Sequence, residues 1–363
     1  MKHYEQRLET DIANIRDHVD TQAASVSKAM KQSIHALLTG DEKLASEVII
    51  ADGPVNRAMR QIDAMCHSFI AVHLPSGRHL RLISSIIRIN ITLERIGDYA
   101  VTIARELVQL SEKPAGAIAD VIEKLNDHAM GVFQQALESF KRDDADLAKQ
   151  TMNLTQQTVT LFNDILDALV KEQEKRHVTD LFALFVVSHH LVRVSDQSKN
   201  ICEDVVFAVT GETKAKKKYK VLFLDEDNSC LSQMAQAIGN KSYALGGEFY
   251  CAGKSPAAEL HPGLADFMGQ HGINMEGSKP KSIAALEHPL EDFHVVVSLK
   301  GTARSYMDNV PFHTALLEWD VGDVPSQESS DLCGQRLNDA YRDLALQIKD
   351  LMQLLRGDES PGS

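Results

Sequence analysis

The hydrophobic pattern of this 363-residue chain changes period once, between residues 210 and 221. Before that point, apolar residues recur every three to four positions, which is the spacing of helices that bury one face. After it, continuous apolar runs occur at 221–224, 294–299 and 315–321, as expected of buried parallel strands. The chain is therefore predicted to fold as a multi-domain protein, an all-α region followed by an α/β domain with a parallel sheet.

The helical region contains one especially regular amphipathic segment, residues 86–110. Its apolar positions form a single stripe that must pack against other helices. The stripe consists of Ile86, Ile89, Leu93, Ile96, Ala100, Ile103 and Leu107. The stretches 5–38, 117–140 and 147–174 have the same period and are also predicted to be helices.

Helical patterns alternate with the apolar runs of the second region, at 231–239, 261–271 and 280–286. Such alternation favours strand–helix–strand units with parallel strands. A final helix is predicted at 332–355. Its apolar face comprises Leu337, Ala340, Leu344, Ile348 and Leu351.

The net charge of −13 argues against nucleic acid as a direct partner, because phosphate binding needs a basic face. The five cysteines are scattered and include no C-x-x-C, which is typical of reduced thiols in the cytosol. The chain has no apolar run of about 18 residues and begins with charged residues. A cytoplasmic location without membrane insertion is therefore expected.

The helical region repeats itself. LERIGDYAVTIARELV (93–108) aligns with LVRVSDQSKNICEDVV (191–206) at a constant offset of 98 residues. Leucine, arginine, aspartate and isoleucine coincide in register, which chance similarity between two amphipathic helices does not readily produce. The region is thus predicted to be two three-helix bundles related by duplication.

An acidic pair lies in the first copy. Glu94 and Asp98 are four residues apart, so both carboxylates project from one helix face. Like charges at this spacing repel each other unless a cation or a basic neighbour offsets them, and Arg95 is such a neighbour. The spacing leaves two interpretations open, a hard cation held by oxygen ligands or a solvated, salt-bridged face.

The segment LERIGDYAVTIARE resembles the signature of PhoU, the regulator of bacterial Pst-type phosphate transport and its two-component signalling. The segments 48–63, 75–86 and 200–212 follow the same pattern, so the resemblance covers about residues 3–213. It implies one repeat at 1–110 and a second at 111–213, a six-helix pair of bundles, and self-association as a homodimer. The implied partners are phosphate ABC transporter components and a sensor histidine kinase.

The same resemblance implies metal sites built from pairs of acids, for which iron, zinc, manganese or magnesium are candidate ions. Carried onto this chain, the first-repeat ligands are Glu94, Asp98, Asp52 and Asn56. In the second repeat only Asp196 matches an acid, because Val192, Thr155 and Val159 occupy the other positions. The second site is therefore expected to be lost as a multinuclear cluster.

The second region resembles the low-molecular-weight protein tyrosine phosphatases and arsenate reductases. The match is carried by VLFLDEDNSCLSQMAQA, Cys251-Ala252-Gly253 and Gly272-Ile273-Asn274. It implies a linker at 214–219 and a phosphatase-like domain at 220–356. In that family a C-x5-R loop follows the first strand, and a thiolate attacks phosphorus while the arginine holds the phosphoryl oxygens.

This chain departs from the family at both indispensable positions. Asp225 stands at the position of the nucleophilic cysteine, and Leu231 stands at that of the arginine. The loop otherwise contains Asp227, Asn228, Cys230 and Ser232, and Asp323 lies near the family's general acid. We predict a pseudo-phosphatase with no catalytic residues, in which the loop is a degenerate phosphate loop.

Two other interpretations of the loop stay open at this stage. VLFLDEDNS also matches the first motif of Mg-dependent aspartyl phosphotransferases, in which Asp225 would be the nucleophile and Asp227 a general acid. In a weaker version the two acids form a divalent-metal or phosphoacceptor site. For the whole chain, the regulatory hypothesis competes with an enzyme of residual or altered phosphatase or arsenate-related activity, and with a metal-storage or metal-sensing protein.

Overall fold

The computed structural model describes residues 2–213, 217–307, 310–311, 314–323 and 330–356. The chain divides into two compact units, 1–214 and 215–363. The first unit is helical and the second is an α/β unit with a parallel sheet, which confirms the predicted fold class. Residues 214–216 of the predicted linker lie outside the described residues, and the predicted repeat boundaries stay predictions.

The helical unit contains eight helices in the part of the chain that the structure describes. The first four are α1 (Lys2–Thr39), α2 (Glu42–Ile50), α3 (Asp52–His73) and α4 (Gly77–Gln109). The next four are α5 (Ala117–Arg142), α6 (Ala145–Leu154), α7 (Gln157–Lys171) and α8 (Val178–Thr210). The expected six helices become eight because the middle helix of each bundle is interrupted.

The interruption in the first bundle lies between Ile50 and Asp52. Pro54 lacks a backbone N–H, and its ring excludes the carbonyl of the residue four positions earlier, which is Ile50. The α-helical hydrogen-bond pattern therefore cannot pass through this point. Ala51, with φ −71° and ψ −5°, joins the two helices with a bend.

The prediction of one helix over 147–174 is wrong. α6 ends at Leu154, α7 begins at Gln157, and α7 ends at Lys171. Between them the backbone makes turns closed by hydrogen bonds between residues three apart, for example from the Thr158 N–H to the Thr155 carbonyl at 3.2 Å. The Thr155 hydroxyl donates to the Met152 carbonyl at 2.8 Å, and such bonds compete with regular helix formation.

All seven residues of the predicted α4 stripe are buried. α4 packs against α8, so the two repeats share one continuous hydrophobic core. Arg88 on α4 forms an ion pair with the buried carboxylate of Asp204 on α8 and also donates to the Ser84 hydroxyl. The sequence periodicity thus correctly predicted which face of α4 lies inside.

α8 is long and apolar enough to cross a membrane by length and composition. The core helices of soluble proteins satisfy the same criterion. In this structure α8 contacts four neighbouring helices, which are α4, α5, α6 and α7.

The second unit contains four described strands and three described α-helices. These are β1 (Tyr219–Asp225), α9 (Leu231–Tyr243), β2 (Gly247–Gly253), α10 (Leu264–Gln270), β3 (Val295–Ser298), β4 (Ala315–Glu318) and α11 (Ser330–Arg356). The strand order is β2-β1-β3-β4 and every pairing is parallel. The carboxyl ends of the strands therefore meet at one edge, where ligand sites form in such sheets.

Two predictions for this unit differ from the structure. β2 was indicated only by the family resemblance at Cys251-Ala252-Gly253, although residues 249–252 are themselves a run of four apolar residues. The helix predicted at 280–286 is wrong, because only a 3₁₀ turn at Ile283–Ala285 forms there. The predicted apolar face of α11 is buried, as expected.

Candidate functional site

Three carboxylates of the first repeat lie close enough to repel one another. The pKa of Glu94 is raised by burial, and further by the charges of Asp98 and Asp52. The pKa of Asp98 is likewise raised by burial and then by Asp52. Asn56 Nδ2 donates to Asp52 Oδ2 at 2.7 Å. The structure therefore brings together the four residues predicted for the first repeat.

In the described residues this acidic face is not arranged as a closed metal cage. Arg95 offsets part of the charge on Glu94, and Arg105 offsets part of that on Asp98. No group of three His, Cys, Asp or Glu side chains among the described residues is arranged to hold a metal ion. A hard cation would thus have to draw the carboxylates together.

The second repeat presents a different surface. Asp196 pairs with Arg193 on its own helix at 3.3 Å, and the side chains are half exposed. Val159 is 60% exposed and Phe182 is 66% exposed. Phe185 is also exposed, with its ring centroid 5.9 Å from that of Phe162. An apolar, aromatic face lies on α7 and α8, a feature that the motif comparison alone did not predict.

The degenerate phosphate loop joins the end of β1 to the start of α9. Its first three backbone carbonyls accept hydrogen bonds from the segment that follows β2. The carbonyls of Asp225, Glu226 and Asp227 accept N–H bonds from Lys254, Ser255 and Ala257, at 3.3, 2.8 and 2.8 Å. The loop backbone thus keeps a fixed shape even though both signature residues are absent.

The Asp225 side chain lies inside this loop and is 5% exposed. Its Oδ1 accepts the backbone N–H of Asn228 at 2.7 Å, and its Oδ2 accepts the backbone N–H of Ser232 at 2.9 Å. Loop N–H groups at a helix start are the donors that bind an anion in a phosphate cradle. Here a carboxylate of the protein itself occupies two of them.

Asn228 stabilises the loop from within. It is fully buried, with the left-handed φ of +52° that asparagine tolerates. Its Nδ2 donates to the Ser232 hydroxyl at 2.7 Å, and its Oδ1 accepts from Gln233 and from the Lys281 N–H. Gly253 must lack a side chain, because a Cβ there would lie 2.8 Å from the Asn228 nitrogen.

The ionisable groups of the loop are poorly suited to nucleophilic attack. Burial raises the pKa of Asp225, although hydrogen bonds from Ser232 and Asn228 partly offset the rise. Burial raises the pKa of Cys230 to about 12, and the nearby Asp225 and Asp227 add to this effect. The thiolate is the reactive form, so Cys230 stays protonated and unreactive at neutral pH.

The other predicted loop residues also have local partners. The Asp227 carboxylate accepts the Ser229 N–H at 3.0 Å and the Ser229 hydroxyl at 2.9 Å. Asp323 is exposed and pairs with Lys300. Leu231, at the arginine position, is buried in the core between α9 and the sheet.

Comparison with known proteins agrees with both resemblances. The PhoU domain model matches residues 19–107 and 122–205. A phosphate-specific transport system accessory protein PhoU homolog from Pseudomonas putida is 30% identical over 214 residues, which cover 58% of this chain and 83% of the relative. The chain belongs to the PhoU family. The crystal structure of PhoU from Pseudomonas aeruginosa is 30% identical, with a TM-score of 0.53, and the match covers 56% of this chain and 99% of that one.

The PhoU family match leaves the second unit unaccounted for. The model of the low molecular weight phosphotyrosine protein phosphatase family matches residues 220–319. A solved arsenate reductase in the phosphate binding state is 22% identical, with a TM-score of 0.30, and covers 38% of this chain and 98% of its own. The match to the family model shows that a phosphatase-like domain follows the helical repeats of this PhoU-family chain.

Proposed function

We propose that this chain is a cytoplasmic regulator of phosphate uptake and of the phosphate-starvation response. It would act through protein–protein contacts with components of a phosphate ABC transporter and with a sensor histidine kinase. Membership of the PhoU family supports this proposal, because the matched relatives are accessory proteins of phosphate-specific transport systems. Self-association as a homodimer is part of the same proposal.

The phosphatase-like domain is proposed to be non-catalytic. The observation that carries this assignment is the Asp225 carboxylate, which accepts hydrogen bonds from the backbone N–H groups of Asn228 and Ser232 inside the loop. A phosphate entering the loop would meet a carboxylate that already occupies two donors. It would also find a leucine, Leu231, where the clamping arginine belongs. The domain would then serve as a binding or sensing element.

The regulatory role is tested in a bacterial strain that lacks its own PhoU protein. The full chain is expected to lower phosphate uptake and a phosphate-starvation reporter in phosphate-rich medium. The Cys230→Ser variant should regulate equally well, because the proposed role needs no thiol chemistry. Unchanged uptake and reporter activity with a well-expressed chain would contradict the proposal.

The non-catalytic assignment is tested by turnover of p-nitrophenyl phosphate and by arsenate reduction with the purified full chain. Neither reaction is expected above the rate of a heat-denatured sample, with or without Mg²⁺. Turnover that is lost in an Asp225→Asn variant and requires Mg²⁺ would instead support the aspartyl phosphotransferase hypothesis. Turnover lost in Cys230→Ser would support a residual thiol enzyme.

Cation binding at the first-repeat acidic face is a second proposed property. It is favoured by the raised pKa values of Glu94 and Asp98, which a bound cation would offset. Iron, zinc, manganese and magnesium are the ions to test by metal analysis of the purified protein. Glu94→Ala should remove the bound ion if the acidic face holds it.

A further inference from the structure

An apolar face runs along the hairpin that α7 and α8 form in the second repeat. The two helices are antiparallel neighbours, because the short connection 172–177 joins them and they pack against each other. Steps of three and four residues place side chains of each helix on one face. The residues of this hairpin face are Val159, Phe162, Leu166 and Val170 of α7 with Val178, Phe182, Phe185 and His189 of α8.

The side chains of the hairpin face are open to solvent. Val159, Val170 and Val178 are 60%, 62% and 63% exposed, and Phe182 is 66% exposed. The face is about 17 Å long and two helices, or about 20 Å, wide, which gives an area on the order of 300 Å². Contiguous apolar patches of this size on soluble proteins mark interaction surfaces.

Charge separates the hairpin face from the matching surface of the first repeat. None of the residues that form it is an acid, a lysine or an arginine. In the first repeat, the carboxylates of Glu94, Asp98 and Asp52 lie close enough to raise one another's energy. At the offset of 98 residues, Val192 stands beside the hairpin face where the first repeat has Glu94.

This difference decides where two copies of the chain can meet. With a net charge of −13, two copies repel each other at long range. Contact through the acidic face of the first repeat would add the repulsion of its carboxylates, whereas contact through the hairpin face adds none. The aromatic and aliphatic composition of the hairpin face also matches the cores of protein interfaces, which contain few charges.

The hairpin face is complementary to itself. In a two-fold symmetric contact the same residues lie on both sides, so a charged face meets its own sign and an uncharged apolar face does not. Two hairpins packed in this way form a four-helix contact in which the side chains of α7 and α8 interdigitate. A basic partner would gain no ion pair from the residues of this face, so charge does not favour it there.

We propose that the hairpin face binds the same face of a second copy of this chain in a two-fold symmetric dimer. The inference rests on the self-association that is part of the proposed function, and it assigns the surface. Stable interfaces bury about 800 Å² per partner, so a face of this size should give a dimer that dissociates on dilution. Phe182 is the most exposed residue of the face and lies near its middle, so it should contribute most to binding.

The test is sedimentation velocity of the full chain between about 1 and 200 µM. The variants Phe182→Asp and Phe182→Lys place a charge of either sign in the middle of the face. Leu346→Asp is the matched control, because Leu346 is an apolar residue of α11 that is 56% exposed and lies outside the hairpin face. Far-ultraviolet circular dichroism checks that each variant keeps the parental helix content.

The parent is expected to convert from one chain to two as its concentration rises. Raising NaCl from about 50 to 500 mM should strengthen the dimer, because salt screens the repulsion between the acidic chains. Both Phe182 variants should raise the dissociation constant at least about 10-fold, and Leu346→Asp should leave it unchanged. Phe182→Lys reduces the net negative charge, so it would strengthen the dimer if long-range repulsion alone governed association.

Three outcomes overturn the proposal, and each leaves a different part of the proposed function standing. A dimer that both Phe182 variants retain at parental affinity would place self-association on another surface. A parent that stays monomeric at every concentration, yet still lowers phosphate uptake, would remove the dimer and keep the regulatory role. A monomeric parent whose regulation of uptake is lost in Phe182→Asp would assign the hairpin face to a different protein partner.

Discussion

The carboxylate of Asp225 accepts a hydrogen bond of 2.9 Å from the backbone N–H of Ser232, near the start of α9. In a phosphate-binding loop this N–H would face the ligand. In this chain the side-chain carboxylate of the last residue of β1 takes the place of that ligand at this N–H group.

Replacing Asp225 by alanine is expected to lower the free energy of unfolding of the second unit by about 1–3 kcal/mol, because two buried N–H groups lose their acceptor. Trp319 is the only tryptophan and its ring centroid lies 5.7 Å from that of Phe223. Its fluorescence in urea therefore reports this unit. Inorganic phosphate should restore stability to Asp225→Ala and have little effect on the parent.

The matched control for this prediction is Glu226→Ala, because Glu226 is the next residue and is exposed. It should unfold at nearly the parental urea concentration and respond to phosphate as the parent does. Equal stability of Asp225→Ala and the parent would show that the carboxylate is not holding the loop.

The five cysteines should differ sharply in reactivity with iodoacetamide at neutral pH. Burial raises the pKa of Cys66, Cys202 and Cys230 to about 12 and that of Cys251 to about 11, so their thiolates are scarce. Cys333 is the partly exposed one and should be modified first. Peptide mass spectrometry of the native protein checks this order, and Cys333→Ser should remove the fast phase. Early modification of Cys230 would contradict the assigned burial of the loop.

The acidic face of the first repeat should make the free energy of unfolding of the helical unit larger at lower pH. Because the pKa of Glu94 is raised above its ordinary value of 4.5, the folded protein binds more protons than the unfolded chain in the window between the two values. The free energy of unfolding contributed by this group therefore rises as pH falls through that window. Glu94→Gln should be more stable than the parent at pH 7 by about 0.2–0.5 kcal/mol, and equal to it below pH 4.

The same variant tests the role of cations. Mn²⁺ should raise the thermal midpoint of the parent and not that of Glu94→Gln. Glu106→Gln is the control, because Glu106 lies on the same helix and its pKa is raised by burial alone. Loss of the Mn²⁺ response in Glu106→Gln as well would indicate that the acidic face is not the binding site.

The ion pair between Arg88 and Asp204 should stabilise the packing of α4 against α8. Arg88→Met leaves a carboxylate that is 9% exposed without its cation, and we expect a loss of about 1–3 kcal/mol in the free energy of unfolding. A double-mutant cycle with Asp204→Asn, followed by far-ultraviolet circular dichroism in urea, isolates the coupling between the two side chains.

The exposed pair of Arg193 and Asp196 on α8 provides the reference cycle. Its coupling should be below about 0.5 kcal/mol, because exposed ion pairs are weakened by solvent and by side-chain entropy. Equal coupling in the two cycles would contradict the special role of the pair that joins α4 and α8.

Local chemistry was sufficient to predict much of this protein. The spacing of Ile86, Ile89 and Leu93 indicated the buried face of α4, since helical period and burial are linked along a single segment. The substitutions at Asp225 and Leu231 were visible as departures from a motif. The break at Thr155 was not predicted, because no proline marks it. The strand β2 was not predicted from periodicity, because its apolar run at 249–252 is too short to distinguish a strand from a helix.

The sequence by itself determined the two fold classes, the repeat in the helical region and the identity of the residues in the degenerate loop. Only the tertiary structure decided that the Asp225 carboxylate points into the loop and that the first-repeat acids lie together. These features depend on contacts between segments far apart in the chain. The direction of a side chain and its access to partners are set by packing between segments, and periodicity along one segment carries no information about that packing.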